Sequence, residues 1–174
     1  MNLLLGPSAD VVETPQPTTL GDQGVRVFGG EPFWVAELSR GFVRGIHIGG
    51  RGRVAVVARH FPGYGGADRP ASIEVPTVRR TLDQLAQVDL QPFYAVTGEA
   101  LETQDDRVDG LLTAHIRYRG FQGDNPRQET RPISLDPQAL QVLMNQPGLS
   151  AWRQDGGLLI SDALGVRGIR RFYS

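Results

Sequence analysis

The chain has 174 residues, of which 40% are hydrophobic, and its formal net charge at pH 7 is -1. These values predict one globular domain with a sizeable core, and the scattered charge excludes a strongly basic surface for nucleic acid. Cysteine is absent, so disulfides, thiolate metal sites and cysteine nucleophiles are excluded as well. All 18 basic residues are arginine.

The first predicted element is a short strand in the opening sequence MNLLLGPSAD. Its leucines at positions 3–5 are too few for a membrane span or for the apolar region of a signal peptide, and no basic leader precedes them. We therefore expect no membrane-spanning segment, while a cytoplasmic and an exported location both stay open.

Continuous apolar runs predict four buried strands along the chain. None of these runs alternates with polar residues, as is typical of parallel strands that are covered on both faces. The predicted strands are residues 3–5, 54–58, 111–114 and 158–160.

Segments with helical spacing lie between these strands. Residues 31–50 place their apolar side chains on one stripe, and residues 76–96 repeat apolar side chains at intervals of three and four. Residues 134–148 form a third helical segment with Ser134 or Asp136 as its cap. The alternation of strands and helices predicts an α/β fold with right-handed crossovers.

Polar side chains follow each predicted strand directly. In parallel α/β folds this position is the carboxyl edge of the sheet, where the loops build ligand sites, and a barrel would bring all these clusters to one pocket. The residues are Pro7, Ser8 and Asp10 after the first strand, Arg59 and His60 after the second, His115, Arg117 and Tyr118 after the third, and Ser161 and Asp162 after the fourth.

Several segments resemble, in chain order, the barrel domain of family 3 glycoside hydrolases, and most of all its bacterial β-N-acetylhexosaminidase branch. They are NLLLGPSADVV, GDQGVRVFGGEPFWVAEL, VAVVARHFPGYGG, LLTAHIRY and GLLISDALGVRGIRRF. The resemblance implies a partial (β/α)8 TIM barrel: residues 1–174 would be a single incomplete domain with about strands four to seven. We expect such a segment by itself to be inactive.

The resemblance also implies an activity, namely retaining hydrolysis of β-linked N-acetylhexosaminides through an aspartate nucleophile. The substrate would be a saccharide, either a glycan or a muropeptide-like molecule, and neither a cofactor nor a metal ion is expected. Asp162 in ISDALG matches the nucleophile. Judged from the residues by themselves, Asp162 has an alternative role as the cap of the following helix.

The residues implied in substrate binding are Arg26, Arg59, His60 and His115. His60 matches the histidine of a Lys-His pair that holds sugar hydroxyls. Arg59 replaces the lysine of that pair, which changes a point donor into a planar fork. The alternative for the two histidines is burial with ring nitrogens satisfied by the backbone, and His115, like Asp10, would then be structural.

The loop HFPGYGGADRPASIEVP lacks one feature of the hexosaminidase branch, an Asp-x-His dyad that protonates the leaving group. An ungapped match puts Pro70 and Ser72 at those positions, and neither side chain transfers protons near neutral pH. Asp68 and Glu74 are the nearest carboxylates and therefore the candidate acid/base residues, although Asp68 could instead pair with Arg69. Other branches of the family take the acid from a separate C-terminal region.

Three functional hypotheses follow. The first is a glycosidase with a relocated acid. The second is a catalytically impaired barrel that still binds a saccharide through Arg26, His60 and His115. The third is a nucleotide or phosphosugar enzyme on another α/β scaffold, which only an analogy of fold supports.

Overall fold

The computed structural model of the chain describes residues 2–14, 24–71, 73–98, 101–126 and 128–174. Strands and helices alternate over most of its length. In chain order they are β1 (Leu3–Ser8), α1 (Pro32–Gly50), β2 (Ala55–Phe61), β3 (Thr77–Val78), α2 (Leu82–Gln87), α3 (Gln91–Thr97), β4 (Gly110–Thr113), β5 (Arg117–Tyr118), α4 (Arg119–Gln122), α5 (Pro137–Met144), α6 (Leu149–Gln154), β6 (Leu158–Ser161) and α7 (Arg167–Phe172).

The main sheet contains the four strands predicted from the apolar runs, in the order β1-β2-β4-β6. Every neighbouring pair is parallel. The α/β prediction is therefore confirmed. Within the described residues the sheet does not close on itself, and Leu3, Leu5 and Leu158 on its two outer strands are exposed. This is the geometry of a section of a barrel.

Helix α1 confirms the helix predicted for residues 31–50. Pro32 occupies the first turn, and Arg51 ends the helix in the left-handed conformation, with φ of 52°. The apolar stripe buries Val35 and Val43 completely. Arg44 then ties the helix to the segment before β4, since its Nε donates to Asp106 Oδ1 at 2.5 Å.

The prediction of one helix over residues 76–96 is wrong in part. Residues 77–78 form β3, which pairs with β5 in a second, two-stranded parallel sheet. The helix begins later because Thr81 and Gln84 form a capping box: Gln84 N donates to Thr81 Oγ1, and Thr81 N donates to Gln84 Oε1. A break after Gln87 separates α2 from α3.

The third predicted helix is confirmed in place but divided in two, α5 and α6. Asp136 caps α5 by accepting a hydrogen bond from Ala139 N at 3.1 Å. Ser134, the other candidate cap, lies in a 3-10 turn, Ile133–Leu135, and its hydroxyl contacts His115 instead. Gly148, with φ of 82°, precedes α6.

The main core lies between the sheet and its helices. Val56, Ala58 and Leu111 of the sheet are buried in it together with Phe93 of α3. Trp152 of α6 is also buried, and its Nε1 donates to Val108 O at 2.9 Å. No helix in the described ranges has the length and apolar character that are needed to cross a bilayer. The packed helices hold the strands rigidly, so the strand ends are fixed relative to one another.

Candidate active site

Backbone hydrogen bonds align the carboxyl ends of the four parallel strands. Ala9 N donates to Arg59 O at 2.6 Å, Ala114 N donates to Phe61 O at 2.8 Å, and Asp162 N donates to Thr113 O at 3.0 Å. These bonds continue the strand register beyond the last pairs of the sheet. They bring Asp10, His115 and Asp162, which follow β1, β4 and β6, to one edge together with His60. The sequence places Arg59 and His60 after their strand, but β2 continues to Phe61, so both residues belong to the end of the strand rather than to the loop.

Asp10 and His60 form a close pair at this edge. The distance between Asp10 Oδ2 and His60 Nδ1 is 2.7 Å, and Asp10 is fully buried. Burial raises the pKa of Asp10, but the hydrogen bond and positive charge of His60, with further hydrogen bonds from Ser8 and Tyr64, outweigh it and lower the pKa below 3.8. Asp10 therefore orients the His60 ring and leaves its Nε2 without a partner among the described residues.

The loop after β2 packs tightly against the end of β1. Tyr64 N donates to Asp10 Oδ1 at 2.7 Å, and a Cβ at Gly65 would lie 1.7 Å from Val11 O. Only glycine allows this approach of the two backbones. The peptide bond between Phe61 and Pro62 is cis. The hydrogen bond from Tyr64 N and the close approach of Gly65 fix the loop at its base, next to His60.

Arg80 and Asp89 pack against the same loop. Arg80 Nη1 donates to Asp89 Oδ2 at 2.5 Å, and Arg80 Nη2 donates to Glu13 Oε2 at 2.5 Å. Burial raises the pKa of Asp89 to about 7, although Arg80 opposes this shift. Asp89 is in close contact with Gly63, where an added Cβ would be 2.7 Å from Asp89 Cβ.

His115 uses both ring nitrogens within the fold. His115 Nδ1 lies 2.7 Å from Ser134 Oγ, and His115 Nε2 lies 3.1 Å from Asp162 O and 3.3 Å from Ala163 O. His115 is buried. This arrangement fits the structural alternative for His115 better than direct contact with a substrate, because no ring nitrogen is free for one.

Asp162 is half-buried directly after β6, and its Oδ1 accepts a hydrogen bond from Ala163 N at 2.7 Å. Within the described parts of the chain, no cation lies at ion-pair distance from its carboxylate. The following helix α7 begins at Arg167 and is preceded by Val166 as its cap residue. Asp162 is therefore not the cap of this helix, which removes the structural alternative for it.

Arg59 and Arg26 are the cationic candidates. Arg59 is half-buried at the end of β2, and its Nε is buried without a hydrogen-bond partner in the part of the chain that the structure describes. Arg26 is exposed in a 3-10 turn, Gly24–Arg26. Burial raises the pKa of Tyr64, and the charge of Arg26 acts against this shift.

Both acid/base candidates are paired with Arg69. Arg69 Nη2 donates to Asp68 Oδ2 at 3.1 Å, and Arg69 Nη1 donates to Glu74 Oε2 at 2.9 Å. Asp68 Oδ1 also accepts from Thr77 N at 2.8 Å. Glu74 lines a pocket of about 390 Å³. Of the positions that match the expected dyad, Pro70 lies beside these carboxylates in the chain, and Ser72 lies outside the described residues.

A further cavity lies at the opposite edge of the sheet. A hollow of about 640 Å³ at the amino ends of the strands is lined by His47 and Asp109, which contact each other at 3.1 Å. No three histidine, aspartate or glutamate side chains in the described ranges are grouped so that they could hold a metal ion. The candidate site described above is built from carboxylates, imidazoles and guanidinium groups.

Sequence reasoning missed the roles of Ser134 and Tyr64. Ser134 was a candidate cap, since a serine before a helical segment favours that role. Tyr64 is hidden in the glycine-rich turn, and its backbone contact with Asp10 has no signal in the sequence. Because Asp136 is the true cap, the Ser134 hydroxyl two positions earlier is free for another contact, and this is the only sign in the sequence of its role beside His115.

Comparison with known proteins assigns this arrangement to a family. The model of the "Glycosyl hydrolase family 3 N terminal domain" matches residues 1–174. A beta-hexosaminidase from Methylococcus capsulatus is 31% identical over 157 residues, which are 90% of this chain and 40% of the relative. A beta-hexosaminidase from Pseudomonas aeruginosa is 29% identical over 145 residues, covering 83% of this chain and 37% of the relative.

Solved structures agree with these relatives. A family 3 beta-N-acetylglucosaminidase from Paenibacillus sp. superposes with a TM-score of 0.78 at 28% identity, covering 99% of this chain and 28% of that protein. A family 3 glycosyl hydrolase from Mycobacterium smegmatis superposes with a TM-score of 0.73 at 28% identity, covering 97% of this chain and 44% of that protein. The chain thus spans less than half the length of these relatives, and it belongs to glycosyl hydrolase family 3, whose N-terminal domain it matches.

Proposed function

We propose that the protein is a glycoside hydrolase that cleaves β-linked N-acetylhexosaminides with retention, and that Asp162 is its nucleophile. The observation that carries the proposal is the position of Asp162. Its carboxylate lies at the carboxyl edge of the sheet, on the same side as the Asp10–His60 pair, and has no ion-pair partner among the described residues. An ionised carboxylate on a rigid strand end is suited to attack on an anomeric carbon.

The chemistry has two steps. In the first, an Asp162 oxygen forms a bond to the anomeric carbon while the bond to the leaving oxygen breaks, and an acid supplies a proton to that oxygen. In the second, water attacks the anomeric carbon, gives up a proton to the conjugate base, and releases the Asp162 carboxylate. The groups proposed to hold the sugar during both steps come from β2 and from the turn Gly24–Arg26.

Arg59, His60 and Arg26 are proposed to bind the sugar hydroxyls. Because Asp10 holds His60 Nδ1, His60 Nε2 is available to a ligand. The buried Nε of Arg59 lacks a partner among the described residues, and a buried donor of this kind is normally satisfied. A hydroxyl oxygen of the substrate would satisfy it. His115 is not included among the direct contacts, because its ring nitrogens are occupied.

Asp68 and Glu74 remain the proposed acid/base candidates within this chain. Retaining enzymes hold the two carboxyl groups about 5–5.5 Å apart. Glu74 has one hydrogen bond from Arg69, whereas Asp68 is held by Arg69 and by a backbone amide. Glu74 is therefore the better candidate of the two, and its use as an acid requires that its contact with Arg69 opens.

The proposed substrate class rests on the names of the relatives. Those named beta-hexosaminidase or beta-N-acetylglucosaminidase include the sequence relatives and the Paenibacillus structure described above. A glycan or a muropeptide-like saccharide would carry such a residue. Family membership gives no support to the nucleotide or phosphosugar hypothesis.

A saccharide-binding barrel without turnover is the second candidate function. It is favoured by Pro70 at a position of the expected acid dyad and by the engagement of both nearby carboxylates with Arg69. Turnover of a chromogenic β-N-acetylglucosaminide by the protein in its full natural length separates the two candidates. Hydrolysis that Asp162→Asn abolishes supports the enzyme, whereas sugar binding without hydrolysis supports the binding barrel.

A further inference from the structure

We infer that Ser134 and His115 form a hydrogen-bonded pair that positions Asp162 for reaction. The inference rests on the proposed function of Asp162 and adds two positioning residues that do not touch the substrate. The pair contacts the backbone of the turn that carries Asp162, and it acts on the carboxylate only through that backbone.

The proton positions in this pair follow from its partners. His115 Nε2 contacts two carbonyl oxygens, those of Asp162 at 3.1 Å and Ala163 at 3.3 Å. Carbonyl oxygens only accept hydrogen bonds, so Nε2 carries a hydrogen. In the neutral ring Nδ1 is then an acceptor, and the Ser134 hydroxyl donates to it at 2.7 Å. Ser134 thereby fixes both the tautomer and the orientation of the ring.

The Asp162 turn depends on β4 and its extension for most of its hydrogen bonds. Thr113 contributes two of them: its carbonyl accepts from Asp162 N at 3.0 Å, and its Oγ1 donates to Ile160 O at 3.1 Å. His115 Nε2 contacts the carbonyls of Asp162 and Ala163, which lie further along the same turn. Loss of the His115 donor would leave the Asp162 carbonyl without that contact and Ala163 O with only the hydrogen bond from Val166 N at 3.3 Å. The Asp162–Ala163 peptide could then turn, and the carboxylate would move with it.

Ser134 is itself held in a rigid setting. It lies in the 3-10 turn Ile133–Leu135, where Ile133 is fully buried and its N–H donates to Ile116 O at 2.8 Å. Asp136 then caps α5. Because these contacts fix the backbone on both sides of Ser134, its hydroxyl can hold His115 within a narrow range of positions. A displacement of about 1 Å at a reacting group can cost a hundredfold in rate.

The test compares Ser134→Ala with Ser134→Thr in the protein of full natural length, using a chromogenic β-N-acetylglucosaminide. We expect kcat of Ser134→Ala to fall by roughly ten- to a hundredfold with KM changed less than about twofold, because the sugar contacts are untouched. Ser134→Thr keeps the hydroxyl and should retain most of the activity. In the same way, His115→Gln, which keeps a donor near the Nε2 position, should exceed His115→Leu in kcat.

Ser39→Ala is the matched control, since Ser39 is a buried serine on α1 whose hydroxyl has no partner in the described ranges. It should leave kcat unchanged. The inference is overturned if Ser134→Ala keeps wild-type kcat, if its loss appears in KM, or if Ser134→Thr is as slow as Ser134→Ala. Asp162→Asn is measured in parallel: if it stays active, the proposed function itself fails, whereas an inactive Asp162→Asn beside a fully active Ser134→Ala refutes only the positioning role.

Discussion

His60 Nδ1 lies 2.7 Å from Oδ2 of the fully buried Asp10. This contact connects the first two strands of the main sheet at the edge where the site lies. A buried carboxylate needs such partners to stay charged, and Asp10 receives further hydrogen bonds from Ser8 and from the backbone of Tyr64. The pair is therefore both a structural link and the device that orients His60.

Replacement of Asp10 by asparagine should remove a pH-dependent part of the stability. The pKa of Asp10 is lowered below 3.8 in the folded protein, so its contribution is present above about pH 4 and is lost as the pH falls through the folded pKa. We expect Asp10→Asn to cost roughly 1.5–3 kcal/mol near neutral pH. Urea unfolding between about pH 6 and pH 3 measures the difference, which should shrink on acidification.

Asp124→Asn is the control for this experiment, because the Asp124 carboxylate is 87% exposed and pairs only at the surface with Arg119. Its effect should stay within about 0.5 kcal/mol at every pH. A stability difference between the wild type and Asp10→Asn that does not change with pH would contradict the assignment of an ionised Asp10.

Gly65→Ala should destabilise the protein by about 1–3 kcal/mol or more. Its Cβ would lie 1.7 Å from Val11 O, so the loop that carries Tyr64 would have to move away from β1. Gly41→Ala in the interior of α1 is the matched change, since a Cβ there meets no atom within 4 Å. Gly41→Ala should instead raise the free energy of unfolding by about 0.5–1 kcal/mol. Equal thermal midpoints for the two variants would refute the close approach of the two loops.

Glu74→Gln and Asp68→Asn test the source of the catalytic proton. The variant at the true acid should lose the limb of the pH profile of kcat/KM that reports deprotonation of that acid, because an amide does not act as a general acid. We expect this loss for Glu74→Gln. Azide or a substrate with an activated leaving group should restore part of its rate. Unchanged profiles in both variants would move the acid outside residues 1–174.

The strands could be predicted from the sequence because each is a short apolar run that ends in polar residues, and β2 and β4 are the clearest cases. The helix α1 could be predicted from the helical spacing of its apolar side chains, but that spacing did not show which of them are buried, since Trp34 and Leu38 are exposed while Val35 and Val43 are buried. Residues 77–78 were misassigned because an apolar spacing of three and four continues through them, while their strand depends on pairing with β5, distant in sequence. Local pattern does not record such a tertiary pairing.

The site could be predicted only as far as strand order determines it. Asp10, His60, His115 and Asp162 share an edge because parallel strands end together. Their individual roles depend on contacts that have no local signature, such as Ser134 with His115 across 19 positions of the chain. The engagement of Arg69 with Glu74 likewise depends on the path of the loop.

Covalent labelling of Asp162 tests the central claim most directly. A fluorosugar that forms a stable glycosyl-enzyme, incubated with the protein of full natural length, should attach to the peptide that contains Asp162, and digestion followed by mass spectrometry locates the bond. We predict one label at Asp162 in the wild type and none in Asp162→Asn. A label on any other residue, or equal labelling of the two proteins, would contradict the assignment of Asp162 as the nucleophile.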